Sequence, residues 1–225
     1  MEARDRRLER LRQPPFDHLR ELERLEILNN EMADDGLRLD LVQAGYPDEL
    51  DFPHLTAYIN AVKPLPKKFV DIVLNWIPKL KFKEGALNYL RETKEKYDGR
   101  VLISIFNEGS KQVKWQVCDA IEYNPPLNID NWVREIYLDN KYGYEETGLL
   151  PLALIKLLTE NQAREVLKLG FDHHPGTTSL ALGKIGNVED ISFLEGKLQS
   201  KFENKYTYKE IKKAISKIKT KYKLS

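Results

Sequence analysis

The stretch Thr177–Leu198, TTSLALGKIGNVEDISFLEGKL, decides the fold. Its first half has the apolar spacing of a helix, with Leu180, Ala181 and Leu182 leading to Gly183 and Gly186. Its second half is a new apolar helix, with Ile191, Leu194 and Leu198 on one stripe. Ala181 and Gly183 are small enough to let a neighbouring helix approach closely. Gly186 is free to adopt a left-handed conformation and end the first helix. Asn187 is a good N-cap for the second helix, and Glu189 and Asp190 favour its positive end. The two glycines are therefore a packing notch and a helix stop. A phosphate loop would follow a strand, and these glycines follow a helix.

The rest of the chain repeats this grammar. Second helices of successive pairs are expected to begin near Lys83, Lys111, Glu146, Gly176 and Thr207, at intervals of about 28, 35, 30 and 31 residues. A two-helix unit recurring at that period has too little core to stand alone, and stacked copies bury a continuous apolar interior. No segment alternates apolar and polar residues as a half-buried strand would. The run VLISIF sits where a helix is due, so the fold class expected is all-α. LRLDLVQAG should end at Gly45, and Pro66 suits the first turn of the helix that follows.

ALGKIGNVEDISFLEGKL resembles the HEAT-like repeat of the phycobilisome-lyase type, in which Ala-Leu-Gly-x-Ile-Gly precedes a capped loop and an apolar helix. QVKWQVCDAI resembles the Val-Arg-x-x-Ala helix of the same repeat, with Lys114 at the Arg position and Val117 at the first Ala. Val188 stands where family loops often carry Pro. The likeness lies mainly in residues 113–121 and 181–198. It implies an α-solenoid of about four to six antiparallel helix pairs. The expected organisation is a helical arm or cap over 1–36 and the HEAT-like solenoid over 37–225.

Bulk composition narrows the function. The 225 residues are 32% charged and 41% apolar with a net charge of +1, so no global field favours nucleic acid or an anionic membrane. No apolar run is long enough to span a bilayer, and the charged start MEARDRRLERL does not read as a secretory signal. Cys118 is the single cysteine, which suits a reducing cytoplasm. Charge is distributed unevenly. Eight of the twelve arginines lie in the first 38 residues among a larger number of acids, while Lys201–Ser225 carries nine lysines against Glu203 and Glu210.

No catalytic residue, metal ligand or cofactor is expected. Asp172, His173 and His174 form the most metal-like string, but no second His or Cys cluster accompanies them, and FDHHPG reads as a turn with exposed histidines. The HEAT-like hydroxylases need His-Glu pairs at the starts of second helices, where this chain has Gly176-Thr177 and Trp115-Gln116. The function expected is a non-catalytic module that binds a protein partner, such as a bacterial cytoplasmic adaptor, a regulator or an immunity-type inhibitor. The alternative is a HEAT-like DNA-binding protein or alkylpurine DNA glycosylase, drawing on Trp76, Trp115 and Trp132 with Asp119, Asp130 and Arg134. The loop DNKYGYEETG, Asp139–Gly148, is longer than its counterparts, and insertions in repeat proteins collect on a binding face. The candidate binding residues are Lys114, Trp115, Trp132, Arg134, Tyr142, Tyr144, Glu145 and Glu146. The lysine-rich end reads either as a solvated cap or as an anion-binding patch.

Overall fold

Apolar residues at helical spacing, broken by Gly, Pro and Asn, give a computed structural model that is all-helical among its described residues, which are 36–45, 67–202 and 204–224. The one departure from helix and loop is an isolated parallel bridge between Asp98 and Leu127. No described helix is long and apolar enough to cross a membrane. The expected arm lies outside the described residues up to position 35, as does Pro66. The chain divides into two compact units, Met1–Tyr89 and Leu90–Ser225.

In the first unit, a helix over 36–43 ends at Gly45, whose φ of +91° is the left-handed stop expected of it. Helix α1 (Lys67–Trp76) runs into a 3-10 turn, Ile77–Lys79. Leu37 and Leu41 are buried, as are Phe69, Val70 and Val73 of α1. The Trp76 indole donates to the Asp40 carboxylate at 2.7 Å and ties α1 to the preceding helix. Helix α2 (Glu84–Glu92) follows.

The second unit holds α3 (Arg100–Glu108), α4 (Lys111–Tyr123), α5 (Asp130–Leu138), the single turn α6 (Tyr144–Thr147), α7 (Leu150–Leu157), α8 (Glu160–Leu169), α9 (Pro175–Ile185), α10 (Val188–Lys197) and α11 (Lys205–Lys221). VLISIF is helical within α3, as expected. Helix α3 packs on α4, α5 on α7, α8 on α9 and α10 on α11. The second members of these pairs also meet in order, α4 with α7, α7 with α9 and α9 with α11, while α5 meets α8. The third pair member was expected near Glu146. That residue falls in α6, and α7 starts only at Leu150, behind Pro151 in its first turn.

The α9–α10 junction shows how the sequence writes this packing. Asn187 accepts from the amides of Glu189 and Asp190, and Asp190 accepts from the Asn187 amide at 3.0 Å. Asp190 is fully buried and also takes Arg164 Nε at 2.6 Å and Lys168 Nζ at 3.1 Å from α8. A buried carboxylate is tolerated because three donors replace its water. Gly186 departs from expectation. Its φ of −60° and ψ of 157° are extended, and no left-handed stop is formed. Glycine is required there by space, since a Cβ would stand 2.5 Å from the Leu182 carbonyl and 2.7 Å from Ile218 Cδ1. At Gly183 a Cβ would meet Ala214 Cα at 3.0 Å, so the notch that receives α11 is present.

Candidate interaction edge

Ser110 caps α4 by accepting from the Val113 amide, which fixes the first turn and the direction of Lys114 and Trp115. The Asp139–Gly148 segment folds back towards that turn. Glu146 accepts from the Gly143 amide at 3.1 Å and from Lys114 Nζ at 3.4 Å. Lys114 and Glu146 have side chains only 18% and 12% exposed, so each replaces the other's solvent. The ammonium also lies 5.1 Å from the Tyr142 ring and 5.6 Å from the Phe106 ring, where ring faces attract a cation. Phe106 is buried and meets Trp132 and Tyr142 edge-on, at 5.1 and 5.2 Å between centroids. Lys114, Glu146, Tyr142 and Trp132 thus form one pin that fastens the long loop to α3, α4 and α5.

Outside the pin lies an aromatic edge. Trp115 is half-buried, with its ring 5.9 Å from that of Tyr144, which is 56% exposed. Glu145 and Lys111 flank Tyr144 as an exposed pair at 3.8 Å, of the kind that contributes little to stability. Beneath Tyr144 is His174, whose ring centroid is 6.2 Å away. Further along, Gly176 in the first turn of α9 lies beside Tyr206, whose ring carbons would be in ordinary contact with a Cβ there at 3.5 and 3.6 Å. Tyr206 is 53% exposed in the first turn of α11, and its amide is held by the Asn204 cap at 2.8 Å. Trp115 lies in the second turn of α4, Tyr144 opens the turn α6 that packs on α4, and Gly176 and Tyr206 lie in the first turns of α9 and α11.

Arg134 stays exposed, without an ion-pair partner among the described residues. Asp119 lies 3.0 Å from Arg91 Nε, and burial pushes its carboxyl up against the opposing pull of Arg91. Arg91 in turn lies 4.2 Å over the Tyr123 ring. Asp130 opens α5.

The turn is where it was expected, but neither histidine is exposed: His173 is half-buried and His174 is buried. His174 is 3% exposed, because Pro175 starts α9 and turns the preceding ring inward against Tyr137 and Tyr144. Its Nε2 shares a hydrogen bond with the Thr147 hydroxyl at 2.9 Å, while Nδ1 has no partner. Burial first, and then the nearby His173, lowers its pKa to about 4. His173 Nδ1 meets the Tyr137 carbonyl at 3.1 Å. Thr147 and His174 are both closed off from any substrate, at 1% and 3% exposure. Cys118 is fully buried, and that burial, reinforced by the charges of Asp119 and Glu146, pushes its thiol far above the usual range and leaves it inert.

Sequence reasoning missed His174 and Phe106 as supports and Tyr206 as part of the edge. The Asn204 cap two residues before Tyr206 was the local signal that its ring belongs to a first turn. No family model, curated protein or solved structure matches the chain.

Proposed function

We propose that the second unit is a short α-solenoid of HEAT-like helix pairs that binds a protein partner without catalysis, as an adaptor, regulator or immunity-type inhibitor does. One observation carries this reading. Two exposed tyrosines lie along a layer of helices that pack in chain order, Tyr144 opening the turn α6 that packs on α4 and Tyr206 in the first turn of α11. Such a layer presents side chains at regular intervals to an extended partner. Tyrosine is suited to anchoring, since it offers a large rigid surface and one polar tip. The Lys114–Glu146 pin supports the reading by holding Tyr144 in place before any partner arrives, which lowers the ordering cost of association.

The test is affinity capture from the native source with the full-length protein, beside Tyr144→Ser/Tyr206→Ser. Both rings are exposed, so circular dichroism and the thermal midpoint of the variant should match those of the parent. A stoichiometric protein is expected with the parent, and its binding should weaken by about 30-fold or more in the variant, the loss of two anchors worth over 1 kcal/mol each. Retention of the partner by the variant would refute the edge. Release of methylated bases from DNA by the pure protein would refute the non-catalytic reading altogether.

A further inference from the structure

Basic side chains of the second unit are treated in two different ways. From α3 to α10 nearly all are matched to an acid: Lys111 to Glu145, Lys114 to Glu146, Lys156 to Glu122, Arg164 and Lys168 to Asp190, and Lys197 to Asp172. Arg134 and Lys184 are the exceptions among the described residues. On α11 the rule reverses. Lys213 pairs with Glu210 at 2.6 Å, but Lys205, Lys209, Lys212, Lys217, Lys219 and Lys221 have no carboxylate partner among the described residues. Four of the lysines, Lys205, Lys209, Lys212 and Lys213, line an open concavity of about 500 Å³ with Tyr208 and Ser216. Tyr208 is fixed there, its hydroxyl donating to the Ser200 carbonyl at 2.8 Å and accepting from the Phe202 amide at 3.0 Å.

The chain-wide charge sharpens the contrast. The last 25 residues hold nine lysines against two glutamates, an excess of seven in a chain of net +1, which leaves −6 on the rest. The positive excess is therefore concentrated in the last 25 residues of the chain.

We infer that the lysine face of α11 docks an acidic segment of the protein partner, continuing the edge that ends at Tyr206. This rests on the proposed binding role. Three features favour a short acidic peptide over a nucleic acid. The α11 lysines without a carboxylate partner among the described residues run from Lys205 to Lys221, about 24 Å along the helix, a span that a short extended peptide covers. No arginine lies on α11 to grip phosphate as a fork. The face is continuous with Tyr206, which offers an apolar anchor beside the charge.

The test uses the full-length protein and a fluorescein-labelled peptide of about 12 residues, rich in Glu and Asp with one Phe, long enough to follow the face. Binding measured by anisotropy should weaken at least tenfold in Lys205→Glu/Lys209→Glu/Lys212→Glu, and to an intermediate extent in the Gln triple. Lys67→Glu/Lys79→Glu/Lys94→Glu makes the same change in net charge elsewhere and should weaken it by less than threefold. Equal weakening by the two Glu triples, no binding to the parent, or tighter binding of an oligothymidylate of equal charge would each overturn the inference. A captured partner that survives the α11 triple but is lost with Tyr144→Ser/Tyr206→Ser would leave the binding role standing and remove this inference alone.

Discussion

His174 is a neutral ring in a place that has no use for a charged one. Thr147 Oγ1 lies 3.3 Å from the Gly143 carbonyl and donates to it, so His174 Nε2 is the donor in the 2.9 Å bond to Thr147, and Nδ1 is the bare nitrogen. Protonation would put a hydrogen on Nδ1 with no acceptor, beside His173 and the rings of Tyr137 and Tyr144. An imidazole in an unfolded chain titrates near 6.5, whereas here burial and His173 hold it to about 4. The unfolded chain therefore takes up the proton first as the pH falls. The ring's contribution to stability is complete above pH 6.5 and is lost progressively between 6.5 and 4. By pH 4.5 the loss is about 2–3 kcal/mol. Urea unfolding at pH 7 and pH 4.5 should show that excess loss in the parent over His174→Phe, which keeps an aromatic ring and removes the titration. Equal losses in the two proteins would show that the ring is not held neutral.

At the scale of the element, Gly183 sets how close α9 and α11 lie. Two effects of adding a side chain oppose each other there. Removing glycine from a helix interior gains about 0.5–1 kcal/mol. A Cβ would however stand 3.0 Å from Ala214 Cα and 3.2 Å from its Cβ, and main chain cannot swing aside. A branched residue adds more bulk in the same notch, where overpacking costs about 1–3 kcal/mol. Gly183→Val should therefore lower the urea midpoint by an amount equivalent to about 2 kcal/mol. Gly183→Ala should lie between Val and the parent, and an unchanged midpoint in the Val variant would mean that the helices do not meet at this glycine. This junction was legible because its grammar is local. Asn187 and Asp190 are three residues apart and close a capping box, and small residues one turn apart mark a close approach. What stayed hidden was the long-range half. Arg164 reaches Asp190 across 26 residues, and Lys114 reaches Glu146 across 32. No periodicity reports such pairs. The aromatic loop was legible as an insertion, but its sorting was not: Tyr142 and Trp132 turned in to Phe106, Tyr144 turned out, and His174 moved under it. Gly186 marks the limit from the other side, since a glycine at a helix end has two uses and only coordinates tell backbone freedom from want of space.

At the scale of the second unit, the packing order decides between a stack and a single cooperative core. Helix α11 packs on α9 and α10, and α9 on α7, so disturbance at the last helix must travel through neighbours to reach α3 and α4. In a linear stack, stability is a sum of unit terms and nearest-neighbour interfaces, and the end frays without unfolding the far side. Ile211 is wholly buried on α11 and reports on this directly. Ile211→Ser removes apolar area and places a hydroxyl against the seam. Native-state hydrogen exchange should then speed at least tenfold for amides of α9, α10 and α11, while the protection of α3 and α4 keeps within about threefold of the parent. A uniform loss of protection from α3 to α11 would mean that these helices open as one body. The solenoid reading would then fall, and Tyr144 and Tyr206 would lose the layered architecture proposed to align them.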